Sequence, residues 1–517
     1  MKVVMGCETL RDCFSETVSR SGQKRAIRFY QKGAGETEIS FQDLDQDANR
    51  LACTLLRRGV QKGDRVVFYL EKSLFFVAAH IAVQKLGAIG VPLNPGFKKS
   101  ELAYLVQDAE PRMIIAGSGH DATFRELFPQ GEIITIDTRI PYRELVFFRS
   151  APDCIPDVEI FPGDPGLIIY TSGTTGIPKG AILTQKNLVH DAGNIIRTWE
   201  ITGSDIICHA LPLFHVHGLC FALHSALLAG AQVFMLDDFS PATVFDVLSR
   251  KDKGEGCTVF MAVPSMYAKM IDYAAEKGLN PENIGHIRLW TSGSAPLPAK
   301  DFKRIAECLG KEPVEREGMS ETGMNFSNPL RGKRKPGSIG LPLPGLQVRI
   351  VNPETFRDLP QGHTGEIWLK GPSISPGYWR KPMETAANFH EGWFRTGDLG
   401  RVDAEGYYYL TDRIKHIIIS GGENISPKEV EEVINRYEGV VESTVVGISD
   451  PHWGEKVVAA VVIRPGSKIE PMEIKEYCKR HLHNWKCPKE VIFLEQLPKN
   501  TMGKILKDEV RVMFMNA

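Results

Sequence analysis

The fold class this sequence predicts is α/β: a large N-terminal region of helices layered on parallel-rich sheet, then β-rich segments, then a small α+β unit. Three observations predict it. Amphipathic helices alternate with short β-branched runs over the first 300 residues, the signature of layered helices and parallel strands. Beyond about residue 335, strands punctuated by Gly and Pro replace the helices. From Asp412 onward the pattern turns to basic strand, glycine turn, amphipathic helix and strand.

In chain order, "DLDQDANRLACTLLRRG" has helical spacing and stops at Gly59, and "DRVVFYL" reads as a strand. "FFVAAHIAVQKLG" is a helix, "AIGVPLNP" a strand entering a turn, and "RMIIAG" and "EIITID" are further strands. "GLCFALHSALLAGAQVFML" (218–236) is long and uncharged but holds His224, Ser225, Gly230 and Gln232. It reads as a buried helix to about Leu228, a turn and a strand rather than a membrane span. "GSIGLPLPGLQVRIV", "GEIWLKGP" and "GYYYLTD" are the β-rich segments. The last unit adds the strand "EKVVAAVVIRPG", the helix "EIKEYCKRHLHNWKCP" and the strand "EVIFLEQLP". The expected division is residues 1–411, with the β-rich part from about 335, and residues 412–517.

With 517 residues, 43% hydrophobic, 24% charged and a net charge of −1, the chain is long enough for more than one globular domain. It lacks the basic footprint of a nucleic-acid binder. Its ten cysteines form no C-x-x-C pair or Cys/His metal spacing, so reduced thiols are expected. The start shows no charged segment followed by a long apolar run, so a cytoplasmic protein is expected.

"YTSGTTGIPKG" (170–180) carries the chemistry. Four hydroxyls and three glycines follow the apolar run Leu167–Tyr170, and Lys179 follows a proline. A tight turn needs one or two glycines; a loop that wraps an anion needs many, because they let N–H groups converge on phosphate. The spacing is not that of a Walker A loop. It resembles the signature loop of the adenylate-forming superfamily, which includes acyl-CoA synthetases. The resemblance spans nearly the whole chain in family order: "LGAIGVPLNP" (86–95), "LPLFHVHGL" (211–219), "TSGSAPLP" (291–298), "GMSETG" (318–323), "WFRTGDLG" (393–400), "DRIKHIIISGGENISPKEVE" (412–431) and "PKNTMGKILK" (498–507).

The resemblance implies an AMP-forming acyl-CoA synthetase using ATP, Mg²⁺ and coenzyme A, as monomer or homodimer. It implies that Thr171, Ser172, Gly173, Thr174, Thr175 and Gly176 cradle the β- and γ-phosphates, with Lys179 neutralising them or bracing the loop. Glu321 and Thr171 would hold Mg²⁺, in keeping with that ion's preference for one or two carboxylates plus phosphates. Ser294, Ala295, Pro296, Glu317, Gly318, Met319, Ser320 and Thr322 fall in the blocks that hold adenine and metal. Asp398 would accept the ribose hydroxyls and Arg413 would touch ribose or phosphate. Lys504 would bridge the acyl carboxylate and the α-phosphate. Asp412 is the expected hinge, and Gly421 and Gly422 would line the pantetheine tunnel. Glu317 stands where the family places an aromatic against adenine, which leaves the base contact open.

His215, Val216, Leu219, Ala262, Trp290, Ser292, Met324 and Asn325 would line the acyl pocket, His215 as gate or as packed core. The bulk of Trp290 and Met324 favours a small or medium monocarboxylate, aliphatic or aromatic. "FHVHGL" and "ETGMNFSNP" resemble the malonyl-CoA synthetase branch, so a short dicarboxylate is the alternative, with Arg288 the nearest candidate for its second cation. Loading of a separate carrier protein is a further alternative.

Overall fold

The structure, a computed structural model, describes the chain except residues 1–5, 146, 155, 173–176, 251–255, 421–422, 452, 501–502 and 516–517, and except the side chain of Ser172. It divides into two compact units: residues 1–347 with 370–392, and residues 348–369 with 393–517.

The first unit is built on two sheets. One has six strands in the order Glu132–Ile136, Met113–Gly117, Arg65–Tyr69, Ile89–Pro92, Pro165–Ser172 and Pro178–Thr184. The first five run parallel; the last is antiparallel to its neighbour. Ile168, Val67, Ile89, Val91 and Ile114 on these strands share a core with Leu102, Leu105 and Val106 of the helix Lys99–Ala109. The other sheet has nine strands, and its central members Arg25–Gln31, Gln232–Leu236, Ile206–His209, Val259–Ala262, Leu289–Ser292 and Val314–Met319 are parallel. The hairpin Val314–Met319/Gly323–Ser327 turns at one edge. Every helix and strand read from the periodicity is present.

The 218–236 segment departs in one respect. It is a helix, a turn at Gly230 (φ 71°) and the strand Gln232–Leu236, as expected, but residues His217–His224 are π-helical before the α-helix Ser225–Ala229 begins. A stretch buried on every side has no stripe to distinguish a π-turn from an α-turn. Among the described residues no helix is long and apolar enough to cross a membrane.

In the second unit, Gly365–Lys370, Trp393–Val402 and Tyr408–Arg413 form an antiparallel ladder with Gln347–Val351 at its edge. A second sheet pairs Glu423–Ile425, Ile418–Ser420, Gly454–Ile463 and Val440–Asp450, with Glu490–Phe493 parallel to Gly454–Ile463. The helices Pro427–Ile434 and Pro471–His481 cover one face through Val430, Val433, Ile434, Ile474 and Cys478. Cys7 is paired with Cys13, and Cys53 with Cys154. This corrects the expectation of ten free thiols: local spacing cannot reveal a pair 101 residues apart that only the tertiary fold brings together.

Candidate active site

The six-stranded sheet places the candidate phosphate loop at the carboxyl end of its last parallel strand, Pro165–Ser172, and ligands of open α/β sheets bind at the carboxyl ends of strands. In the stem, Thr171 lies opposite Lys179 and Ser172 opposite Pro178. Gly173, Thr174, Thr175 and Gly176 lie outside the described residues. Thr171 donates its hydroxyl to Glu321 Oε1 at 3.3 Å, and Tyr378 donates to the same oxygen at 3.1 Å. The backbone N–H of Ser375 donates to the Glu321 carbonyl at 2.8 Å. Burial and the adjacent Glu321 charge push the Tyr378 phenol up, so it remains a donor. The buried Lys179 ammonium lies 5.5 Å from the Tyr378 ring centroid, with no carboxylate at ion-pair distance among the described residues.

Glu321 is 9% exposed. Hydroxyls orient its Oε1, and no Lys or Arg among the described residues neutralises it. No group of three metal-ligating side chains occurs among those residues. One free carboxylate oxygen beside a hydroxyl fits Mg²⁺, which takes few protein ligands and completes its shell with phosphate and water. It does not fit an ion caged by protein alone.

Ser294, Ala295 and Pro296 follow the strand Leu289–Ser292. Ser294 is held at φ +70°, a costly angle for a non-glycine residue, and its hydroxyl meets His217 Nδ1 at 3.1 Å. Glu317, Gly318 and Met319 end one arm of the hairpin, and Ser320 and Thr322 sit in its turn. Gly318 is required here: a Cβ would lie 2.6 Å from the Gly323 carbonyl oxygen. Asn325 donates to Glu317 Oε2 at 3.0 Å and to Thr322 Oγ1 at 2.7 Å.

His215, Val216 and Leu219 open the π-helical stretch. Burial lowers His215 to about 4 and holds His217 well below the usual histidine range, so both rings are neutral at physiological pH. Ladder register sorts the remaining acyl-pocket candidates by face. Thr291 is opposite Val314 and Ser292 opposite Glu315, so Arg316 shares the face of Thr291, while Trp290 and Ser292 turn away. Ala262 pairs with Ser292 and turns away too. Arg316 stacks over Phe221 of the π-helix at 5.0 Å, whereas the Trp290 ring packs on Phe260 at 5.7 Å and Tyr267 at 6.4 Å. Met324 and Asn325 are buried on the hairpin's return strand. Trp290 is thus a buried aromatic packed on Phe260 and Tyr267. Trp290→Ala is expected to cost about 3–5 kcal/mol of stability, read by denaturant unfolding, and to leave the acyl-length ranking unchanged. A ranking shifted toward longer acids would return Trp290 to the acyl pocket.

Arg288, the candidate second cation, is engaged elsewhere. It binds Asp205 with two bonds of 2.7 and 2.8 Å and the carbonyls of Trp199 and Glu200 at 2.9 and 3.1 Å, which engages all three of its nitrogens. The cation available is Arg316, which sequence reasoning missed. It is 2% exposed, and its Nε and one terminal nitrogen have no hydrogen-bond partner among the described residues. Burial lowers it to about 10, against the attraction of Glu317 and Asp191, and it stays charged at neutral pH. Asp191 accepts from the Met324 N–H at 2.8 Å, and burial raises its carboxyl to about 7, so it only partly offsets the guanidinium. The signal in the sequence was an arginine after Val314 in the strand that leads into "GMSETG", whose first half is buried.

In the second unit the structure brings Asp398, Arg413 and Lys504 together. Asp398 and Arg413 are ladder partners, and Arg413 Nε lies 2.7 Å from Asp398 Oδ1. Burial raises the Asp398 carboxyl, and the charges of Arg413 and Lys504 pull it back. Lys504 is exposed and follows Gly503, at φ +75°; its N–H donates to Asn500 Oδ1 at 2.9 Å. The Asp412 carboxylate accepts from the Ser426 hydroxyl at 2.8 Å and the Lys428 N–H at 3.1 Å, anchoring it to the start of the helix Pro427–Ile434. Gly421 and Gly422 lie outside the described residues.

With this geometry in place, comparison with known proteins is informative. Residues 14–379 match the family model described as AMP-binding enzyme, and residues 429–504 match AMP-binding enzyme C-terminal domain. The chain is 31% identical to a long-chain-fatty-acid–CoA ligase of Bacillus subtilis, across 97% of this chain and 93% of that protein. It is 33% identical to the mitochondrial malonate–CoA ligase of Mus musculus, across 88% and 83%. The ATP-bound crystal structure of MatB from Rhodopseudomonas palustris superposes with a TM-score of 0.91 at 35% identity, covering 98% of this chain and 99% of that one.

Proposed function

The chain belongs to the AMP-binding enzyme family and is an ATP-dependent acyl-CoA synthetase; we propose that its acid is small and carries a second anionic group. Carboxylate is a poor electrophile. Attack of its oxygen on the α-phosphate of ATP expels pyrophosphate and gives an acyl-AMP; the thiol of coenzyme A then attacks the acyl carbonyl and expels AMP. In our assignment Thr171 and Lys179 hold the β- and γ-phosphates. Glu321, with Thr171, would hold Mg²⁺, whose charge would offset that of the phosphates. Asp398 accepts the ribose hydroxyls, Arg413 fixes Asp398 and reaches ribose or phosphate, and Lys504 stabilises charge where carboxylate meets α-phosphate. Residues 412–517 turn about Asp412 between the half-reactions in this reading, since one residue's φ/ψ must absorb the swing.

One observation carries the choice of acid: the buried Arg316 guanidinium has two nitrogens without partners among the described residues. An unpaired buried charge is costly, and a ligand carboxylate or sulfonate would complete it with a bidentate bond. The relatives that act on malonate and on sulfoacetate have acids of this kind. The test is CoA-dependent AMP formation with short dicarboxylates and their monocarboxylate counterparts of equal length. Wild type is expected to prefer the doubly anionic acid, and Arg316→Met to lose that preference by a factor on the order of a hundred. A wild type that prefers the monocarboxylate would remove Arg316 from substrate binding and leave the synthetase assignment standing.

A further inference from the structure

Both ends of the candidate phosphate loop touch one helix, Lys99–Ala109. Tyr170, where the chain enters the loop, donates its hydroxyl to Asp108 Oδ2 at 2.8 Å. Tyr104 lies one helical turn before Asp108, on the same helix face. It donates to the Pro178 carbonyl, where the chain leaves the loop, at 3.0 Å, and its hydroxyl lies 3.5 Å from Asp108 Oδ1. Lys381 Nζ lies 2.9 Å from that Asp108 oxygen and over the Tyr104 ring at 5.9 Å. The Asp108 side chain is 7% exposed. Lys381 extends the segment whose Ser375 and Tyr378 hold Glu321, and Trp379 N–H donates to the Gly180 carbonyl at 2.7 Å.

One shielded carboxylate therefore joins the entry strand, the helix that grips the exit strand, and the segment behind Glu321. The residues next in sequence to the two gripped positions are Thr171 and Lys179. Charge-assisted hydrogen bonds to a shielded carboxylate are strong and directional, and a glycine-rich loop gains most from fixed ends because its own backbone has the most conformational freedom to lose.

We propose that Asp108 is a positioning residue for ATP: through Tyr170 and Tyr104 it sets the placement of Thr171 and Lys179 against the β- and γ-phosphates. The proposal rests on the ATP-binding reading above. It separates nucleotides by their phosphates, because AMP lacks the two groups these residues hold.

The experiment titrates ATP and AMP separately into wild type, Asp108→Ala and Tyr170→Phe by calorimetry, with a melting curve for each. Tyr170→Phe deletes one oxygen and keeps the ring, so it serves if Asp108→Ala folds poorly. Both variants are expected to lose ATP affinity on the order of tenfold with AMP affinity unchanged. The double variant should be no weaker than Asp108→Ala, because the two residues act as a unit. ATP affinity unchanged in folded Tyr170→Phe, or ATP and AMP affinities falling together, would overturn the inference. A wild type that binds neither nucleotide would overturn the ATP reading itself.

Discussion

Lys504→Ala is expected to abolish acid-dependent ATP–pyrophosphate exchange while still converting supplied acyl-AMP and coenzyme A to thioester. Negative charge accumulates where the attacking carboxylate meets the α-phosphate, and an ammonium there acts only in that step. Removing one such donor lowers turnover by a factor on the order of a hundred to a thousand. Lys504 is exposed, so its loss should leave the melting curve in place, which separates catalysis from folding. Its charge acts on the Asp398 carboxyl, so the variant should also alter the pH dependence of nucleotide binding to Asp398. Exchange at the wild-type rate would make Lys504 a surface residue and remove it from the reaction.

Glu321→Gln is expected to cut adenylation by a factor on the order of a hundred, the consequence of removing the one carboxylate assigned to a metal worth several kcal/mol at the transition state. The amide keeps the shape and still accepts from Thr171 and Tyr378, so packing is preserved. The loss should deepen as Mg²⁺ is lowered, and thioester formation from supplied acyl-AMP should be spared. Activity near wild type at limiting Mg²⁺ would move the metal elsewhere.

Much of this was legible in the sequence because it is local. Glycine-rich composition after an apolar strand announced the loop, and the family-like blocks in the sequence marked Glu321 and Asp398. The rest depends on register and on contacts distant in sequence. Whether Trp290 or Thr291 faces the π-helix is decided by pairing with Val314–Met319, and one residue's slip reverses it. Arg288 and Arg316 look alike in sequence; Asp205, 83 residues from Arg288, occupies the first, and nothing described occupies the second. Asp108 lies 62 residues before Tyr170 and carries no motif of its own.

The most direct test of the central claim is separation of the nucleotide products after incubation with ATP, Mg²⁺, coenzyme A and a short dicarboxylic acid. AMP and pyrophosphate, formed together with one thioester per AMP and only when acid and coenzyme A are both present, are the predicted result. ADP and phosphate as the main products, or AMP released at the same rate without coenzyme A, would contradict it.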